Sequence, residues 1–160
     1  MLPVPAGATP WPANTNALMS SISYVQSAYI KRVWTEEEAL CARRGFVSAV
    51  EQGWRNADGT QQYITLVRFA TTAGAASAFD ELISDWTQEP KPTTMLADPA
   101  VGAVGLSSPA LDSNGDAHAE FGVAVGDTLI RVLEYTAATP DPAAAKVLLQ
   151  RQYDSVKNGS

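Results

Sequence analysis

The chain has 160 residues, of which 46% are hydrophobic and 18% charged, and its net charge is −6. That length and balance suit one globular domain with a substantial core and exclude a disordered chain. A surface this acidic, with Lys31-Arg32 and Arg43-Arg44 as its nearest basic clusters, excludes nucleic acid and anionic lipid surfaces as partners.

The first residues, Met1-Leu2-Pro3-Val4-Pro5-Ala6-Gly7-Ala8-Thr9-Pro10-Trp11-Pro12, are dense in proline and small side chains. Such a stretch predicts an extended, semi-stiff tether over residues 1–13, of the kind that lifts a domain off an anchor, or an ordered arm packed through Trp11. It has no charged-then-apolar leader, and no apolar run in the chain approaches the ~20 residues of a membrane span. The expectation is an extracytoplasmic protein, at the cell surface or secreted, whose signal or anchor lies upstream; a cytoplasmic protein is the alternative.

Residues 14–160 read as a single α+β domain. From Asn14 to Val33 the apolar residues Leu18, Ile22, Val25, Tyr29 and Val33 fall at spacings of three and four, which predicts one helix. A second helix is framed by Thr35 as cap, Glu36-Glu37-Glu38 at the positive end, Arg43-Arg44 at the other end and Gly45 as the stop. From Phe46 the period becomes two. Phe46–Trp54 and Tyr63–Phe69 predict two strands joined by Asn56-Ala57-Asp58-Gly59, whose Asp-Gly pair supplies a tight turn. A helix from Thr72 to about Gln88 follows, closed by Pro90 and Pro92.

Residues 89–116 show no periodicity and predict a long loop, a mobile lid or a surface crossing. A second hairpin, Ala117–Val125 and Thr128–Tyr135, turns at Gly126-Asp127. The last helix runs from Pro142 to about Val156 with Asp141 as its cap. The order hairpin-then-helix thus occurs twice, and Thr65-Leu66-Val67-Arg68 lines up with Thr128-Leu129-Ile130-Arg131. The predicted fold is an antiparallel sheet of four or more strands from two ββα units, with the helices packed on one face and extra helices at the N-terminal end.

Two phrases carry a family resemblance. One is Gly45-Phe46, Trp54, Asp58-Gly59, Leu66-Val67-Arg68-Phe69, Ala75-Ala76 and Trp86; the other is Gly122-Val123-Ala124-Val125-Gly126-Asp127 followed by Ile130-Arg131-Val132. Over residues 45–157 they resemble actinobacterial exported sensor-type domains, the extracellular domains of receptor Ser/Thr kinases and their sister lipoproteins. The resemblance implies an extracytoplasmic binding or interaction module and supplies no catalytic residue. Those kinase domains typically carry paired disulfides, and a chain whose single cysteine is Cys41 departs from them.

The candidate sites are few. Cys41 lies in a helical stretch without a neighbouring base and reads as an inert buried thiol. Asp112, Asn114 and Asp116 alternate as the oxygens of a calcium loop do, but Ala117 and Val123 stand where such a loop needs Gly and Glu; a turn into the strand is the plainer reading. His118, the single histidine, alternates with Glu120 and shares its strand face, as a general base would or as an ordinary hydrogen-bonded histidine does. A zinc site lacks the further ligands it needs. Arg68 and Arg131 sit mid-strand at matching points. They would converge on a carboxylate or phosphate if their strands were neighbours facing the same way; otherwise they pair internally with Glu51, Glu120 or Glu134. Trp54 stands beside a hairpin turn, in the core or at the mouth of a site. Serine-nucleophile, Walker and GxGxxG motifs are absent, and no cofactor is expected.

These residues support a non-enzymatic binding domain for a small ligand or partner protein. A small enzyme using His118, Glu120, Arg68 and Arg131 in an open-sheet cleft is the alternative. A third reading is a regulatory partner docking by its sheet edge or by the helix over 72–88.

Overall fold

The structure, a computed structural model, describes residues 1–10, 17–88, 93–109 and 115–159. Eight strands among these residues form one antiparallel sheet. In chain order they are β1 (Thr9–Pro10), β2 (Leu18–Met19), β3 (Phe46–Arg55), β4 (Gln61–Phe69), β5 (Thr94–Asp98), β6 (Ala103–Ser108), β7 (Ala117–Val125) and β8 (Thr128–Thr136). Their order across the sheet is β1-β3-β4-β8-β7-β6-β5, with β2 also paired to β3. The helices are α1 (Ser21–Ala28), α2 (Trp34–Arg43), α3 (Thr72–Thr87) and α4 (Pro142–Asn158).

The two hairpins read from the alternation, β3–β4 and β7–β8, meet at the centre of the sheet through β4 and β8. Asp141 caps α4 as expected, whereas Thr35 does not cap α2: the 3-10 turn at Lys31–Val33 runs straight into that helix, which begins at Trp34 with Val33 at its cap position and no side-chain bond there. Thr71 accepts from the Gly74 N–H at the start of α3, and the Asp141 carboxylate accepts from the Ala143 and Ala144 N–H groups at the start of α4. Gly45 ends α2 with φ of +72° and Gly126 turns the second hairpin with φ of +57°. None of the helices among the described residues is long and apolar enough to cross a membrane.

Three further expectations are corrected. The helices divide between both faces of the sheet instead of sharing one. Gly122 of β7 meets Leu82 and Trp86 of α3, and Tyr24, Val25 and Cys41 from α1 and α2 join the same core with Ala49, Val67 and Leu129. The opposite faces of the same strands present Trp54, Ile64, Phe121, Ile130 and Val132 to Ala145, Leu148 and Leu149 of α4. Period-two alternation in β4, β7 and β8 is apolar on both sides, and that requires cover on both.

Second, residues 89–116 are not a continuous loop. β5 and β6 pair within them and extend the sheet beyond β7. Their pattern was obscured by small residues, because a Cβ on Gly105 would come within 2.4 Å of the Glu120 carbonyl oxygen and 2.6 Å of the Phe121 ring. Residues 89–92 and 110–114, with Pro90, Pro92, Asp112 and Asn114, lie outside the described residues.

Third, the single helix expected over Asn14–Val33 is a short strand, the two-turn α1 capped by Ser20, and a 3-10 turn at Lys31–Val33. Val25 is buried, whereas Leu18 and Ile22 are exposed; the β2 pairing with β3 overrides the helical spacing.

At the N-terminal end, Thr9 and Pro10 pair with Arg55 and Trp54, and the Leu2 N–H donates to Gln152 Oε1 of α4 at 2.9 Å. Leu2, Val4 and Ala8 pack against the α4 core. Trp11 lies outside the described residues.

Candidate functional site

α1, α2 and α3 cover the part of their sheet face that holds Val67, Phe69 and Leu129. Toward the β3–β4 turn the same face opens into a cavity of about 810 Å³. Its floor is alternate residues of four strands: Glu51 on β3, Tyr63 and Thr65 on β4, Arg131, Leu133 and Tyr135 on β8, and His118 and Glu120 on β7. The register sets Thr65 opposite Arg131, Tyr63 opposite Leu133, His118 opposite Tyr135 and Glu120 opposite Leu133. Arg55, Gly59, Gln61 and Asp116 line one side, and Ser27 and Ala28 of α1 another.

Arg131 marks the border between the helical core and the cavity. Its Nε and Nη2 donate to Glu120 Oε1 at 2.9 and 2.6 Å, and Trp86 Nε1 donates to Glu120 Oε2 at 3.1 Å. Both oxygens of Glu120 are therefore occupied, and the side chain is only 8% exposed. Burial alone would lower the Arg131 pKa, yet the Glu120 carboxylate raises it above the ordinary arginine value. Burial in turn raises the Tyr24 and Tyr29 hydroxyls above the usual tyrosine range, so both are neutral. Beside Arg131 lies a small void lined also by Tyr24, Tyr29, Cys41 and Arg44.

Nearer the mouth, Thr65 Oγ1 donates to Glu51 Oε2 at 3.2 Å. The Tyr63 and Tyr135 rings meet edge to face at 6.1 Å and 89°, and His118 lies 5.9 Å from the Tyr135 ring. His118 Nδ1 is buried without a hydrogen-bond partner among the described residues.

The structure thus brings His118, Glu120 and Arg131 to one cavity. It does not bring Arg68 there. β4 and β8 are neighbours, but Arg68 pairs with Thr128 and Arg131 with Thr65, an odd offset along β4 that sends the two guanidinium groups to opposite faces. Arg68 instead pairs with Asp127 of the second turn at 3.1 Å, in a largely exposed ion pair. Trp54 is also on the other face. It is 1% exposed in the α4 core and donates through Nε1 to Gln62 Oε1 at 3.0 Å. Cys41 is buried, and burial pushes its thiol up to about 11, as an inert side chain requires. No group of three or more potential metal ligands occurs among the described residues.

The residues that sequence reading missed are Glu51, Gln61, Tyr63, Thr65 and Tyr135. The available signal was the alternation Gln61-Tyr63-Thr65 opposite Ile64 and Leu66. It marks a strand whose second face is polar and aromatic but partly enclosed.

No protein-family model matches the chain, and no curated protein does. Among solved structures it is similar to the extracellular domain of PknH from Mycobacterium tuberculosis, with a TM-score of 0.59 at 11% identity. The match covers 91% of this chain and 80% of that one. The two share a fold, and the neighbour is of the kind that the sequence resembles.

Proposed function

We propose that the domain is a non-enzymatic, extracytoplasmic binding module of an anchored or secreted protein and that it holds a small ligand in the cavity over β3, β4, β8 and β7. The observation that carries this reading is the cavity. It is concave, lies within the ~300–1,000 Å³ typical of small-ligand sites, and gathers polar and aromatic groups from four strands of a rigid sheet. The shared fold with an extracellular domain supports the location. Against catalysis stands Glu120, whose two oxygens are engaged by Arg131 and Trp86, so it is not a free base beside His118.

The test is a thermal-shift screen of the purified domain, repeated on Tyr135→Ala. A ligand present at ~100 times its dissociation constant should stabilise the folded state by about 2.7 kcal/mol. Hits that persist unchanged in Tyr135→Ala would remove the cavity as the site. Cell fractionation of the full-length gene product tests location, and recovery in the soluble cytoplasmic fraction would contradict it.

A further inference from the structure

The cavity's lining argues for the chemical class of what enters it. Its charged groups are of both signs: Glu51, Asp116 and Glu120 against Arg55 and Arg131. The pair with the greatest pull, Arg131 and Glu120, is closed on itself at 2.6 Å, so its guanidinium offers no uncompensated charge to a phosphate or carboxylate. Glu51 accepts from Thr65, and Arg55 and Asp116 are each already engaged by other groups, so none of these charges stands open to an ionic ligand. A fully apolar ligand would strip water from these groups without replacing their hydrogen bonds, which is costly. What remains is an uncharged molecule rich in hydrogen-bonding groups.

The aromatic residues narrow this further. Tyr63 and Tyr135 stand at right angles to each other, and an aromatic face carries negative charge density that favours the weakly positive C–H groups of an aliphatic ring. Around them Glu51, Gln61 and Thr65 supply carboxylate, amide and hydroxyl groups, which both accept from and donate to hydroxyls. A ring with C–H groups on its faces and hydroxyls around its edge matches both parts of the lining.

We infer that the ligand is a neutral saccharide or cyclic polyol, stacked on Tyr63 or Tyr135 and hydrogen-bonded at its rim by Glu51, Gln61 and Thr65. This rests on the cavity being the binding site.

The experiment is backbone-amide NMR titration of the whole chain with single probes at millimolar concentration. Neutral probes are glucose, N-acetylglucosamine, maltose, cellobiose and myo-inositol; charged ones are inorganic phosphate, glucuronate and choline; octanol is the apolar one. The expected result is saturable shifts in residues 61–65, 118–120 and 131–135 with at least one neutral probe, and none of comparable affinity with the others. Tyr135→Ala should weaken that binding about tenfold, equivalent to ~1.4 kcal/mol. Gln61→Ala, nearer the edge of the strand, should weaken it less and guards against a fold defect in the first variant. Tighter binding of phosphate, glucuronate, choline or octanol at the same amides would overturn the saccharide inference and leave the cavity as the site. Shifts confined to other regions, or no shifts with any probe, would overturn both.

Discussion

Glu134 lies beneath the sheet at 1% exposure, on the face turned toward α4. Burial raises its carboxyl pKa above the ordinary value, and the hydrogen bond from Gln62 Nε2 offsets this only in part. Gln62 in turn accepts from Trp54, so the indole, amide and carboxyl form one buried chain. A carboxyl with a raised folded-state pKa binds more protons folded than unfolded. Its contribution is fully present below the unfolded value and is lost as pH rises through the folded one. Glu134→Gln keeps the acceptor and removes the titration. Its melting temperature relative to the parent should therefore rise between pH 4 and pH 7; a constant difference across that range would show that Glu134 does not titrate there. The Glu120–Arg131 pair answers to a different rule. Removing one member of a buried ion pair strands the other, so Arg131→Met should cost about 3–5 kcal/mol in urea denaturation. Adding Glu120→Gln, which keeps an oxygen for Trp86 Nε1 but removes the charge, should recover much of the loss. A double variant no more stable than Arg131→Met would place the cost in packing and not in the stranded carboxylate.

At the scale of elements, α3 is seated by Gly74. Its N–H is capped by Thr71, and a Cβ there would lie 2.2 Å from the Arg44 carbonyl oxygen at the end of α2. Alanine is the better helix former by about 1 kcal/mol, yet Gly74→Ala should destabilise by ~1–3 kcal/mol, because the contact is with backbone and α3 must shift to relieve it. A neutral or stabilising result would mean that α2 and α3 slide freely. The contact also explains what was legible. Caps, turns and alternation are local, so α4 and the two central hairpins could be read from Asp141, Asp58-Gly59 and Gly126, α2 from its charge pattern and Gly45 though not from Thr35, and α3 from its apolar spacing. What no local signal carries is the side of the sheet on which a helix settles. α3 and α4 each follow a hairpin, and tertiary packing sends them to opposite faces. The β5–β6 hairpin was hidden for a related reason: Gly105 and its small neighbours fit beneath Phe121, which becomes visible only once β7 is in place. For the site, the shared face of His118 and Glu120 followed from alternation alone. The meeting of either with Tyr63, or the separation of Arg68 from Arg131, depends on the β4–β8 register.

For the molecule as a whole, the two cores are not two folding units. One holds Trp86, Leu82, Val67 and Leu129, the other Trp54, Ile64, Ile130 and Leu149, and both stand on opposite sides of the same β4 and β8 backbones. Losing either core removes the cover from strands that the other needs, so neither persists alone. Further ties cross between distant elements: Gln150 and Lys146 of α4 hold the Asp98 carboxylate at 2.7 and 3.3 Å. Burial opposes that charge, but these partners and the Ala100 N–H prevail and hold its pKa below the usual range. The expectation is a single cooperative transition. Fluorotryptophan NMR checks it directly, because Trp54 and Trp86 report opposite faces; their native signals should vanish at the same urea concentration. Earlier loss of the Trp86 signal would mean that the face carrying α1, α2 and α3 opens as a separate unit. Since Trp86 Nε1 also holds Glu120 beside the cavity, such an opening would make the cavity wall the soft part of the fold. Coincident loss would mean that the cavity wall comes apart only with the whole fold, and a ligand bound there would then raise the stability of both faces together.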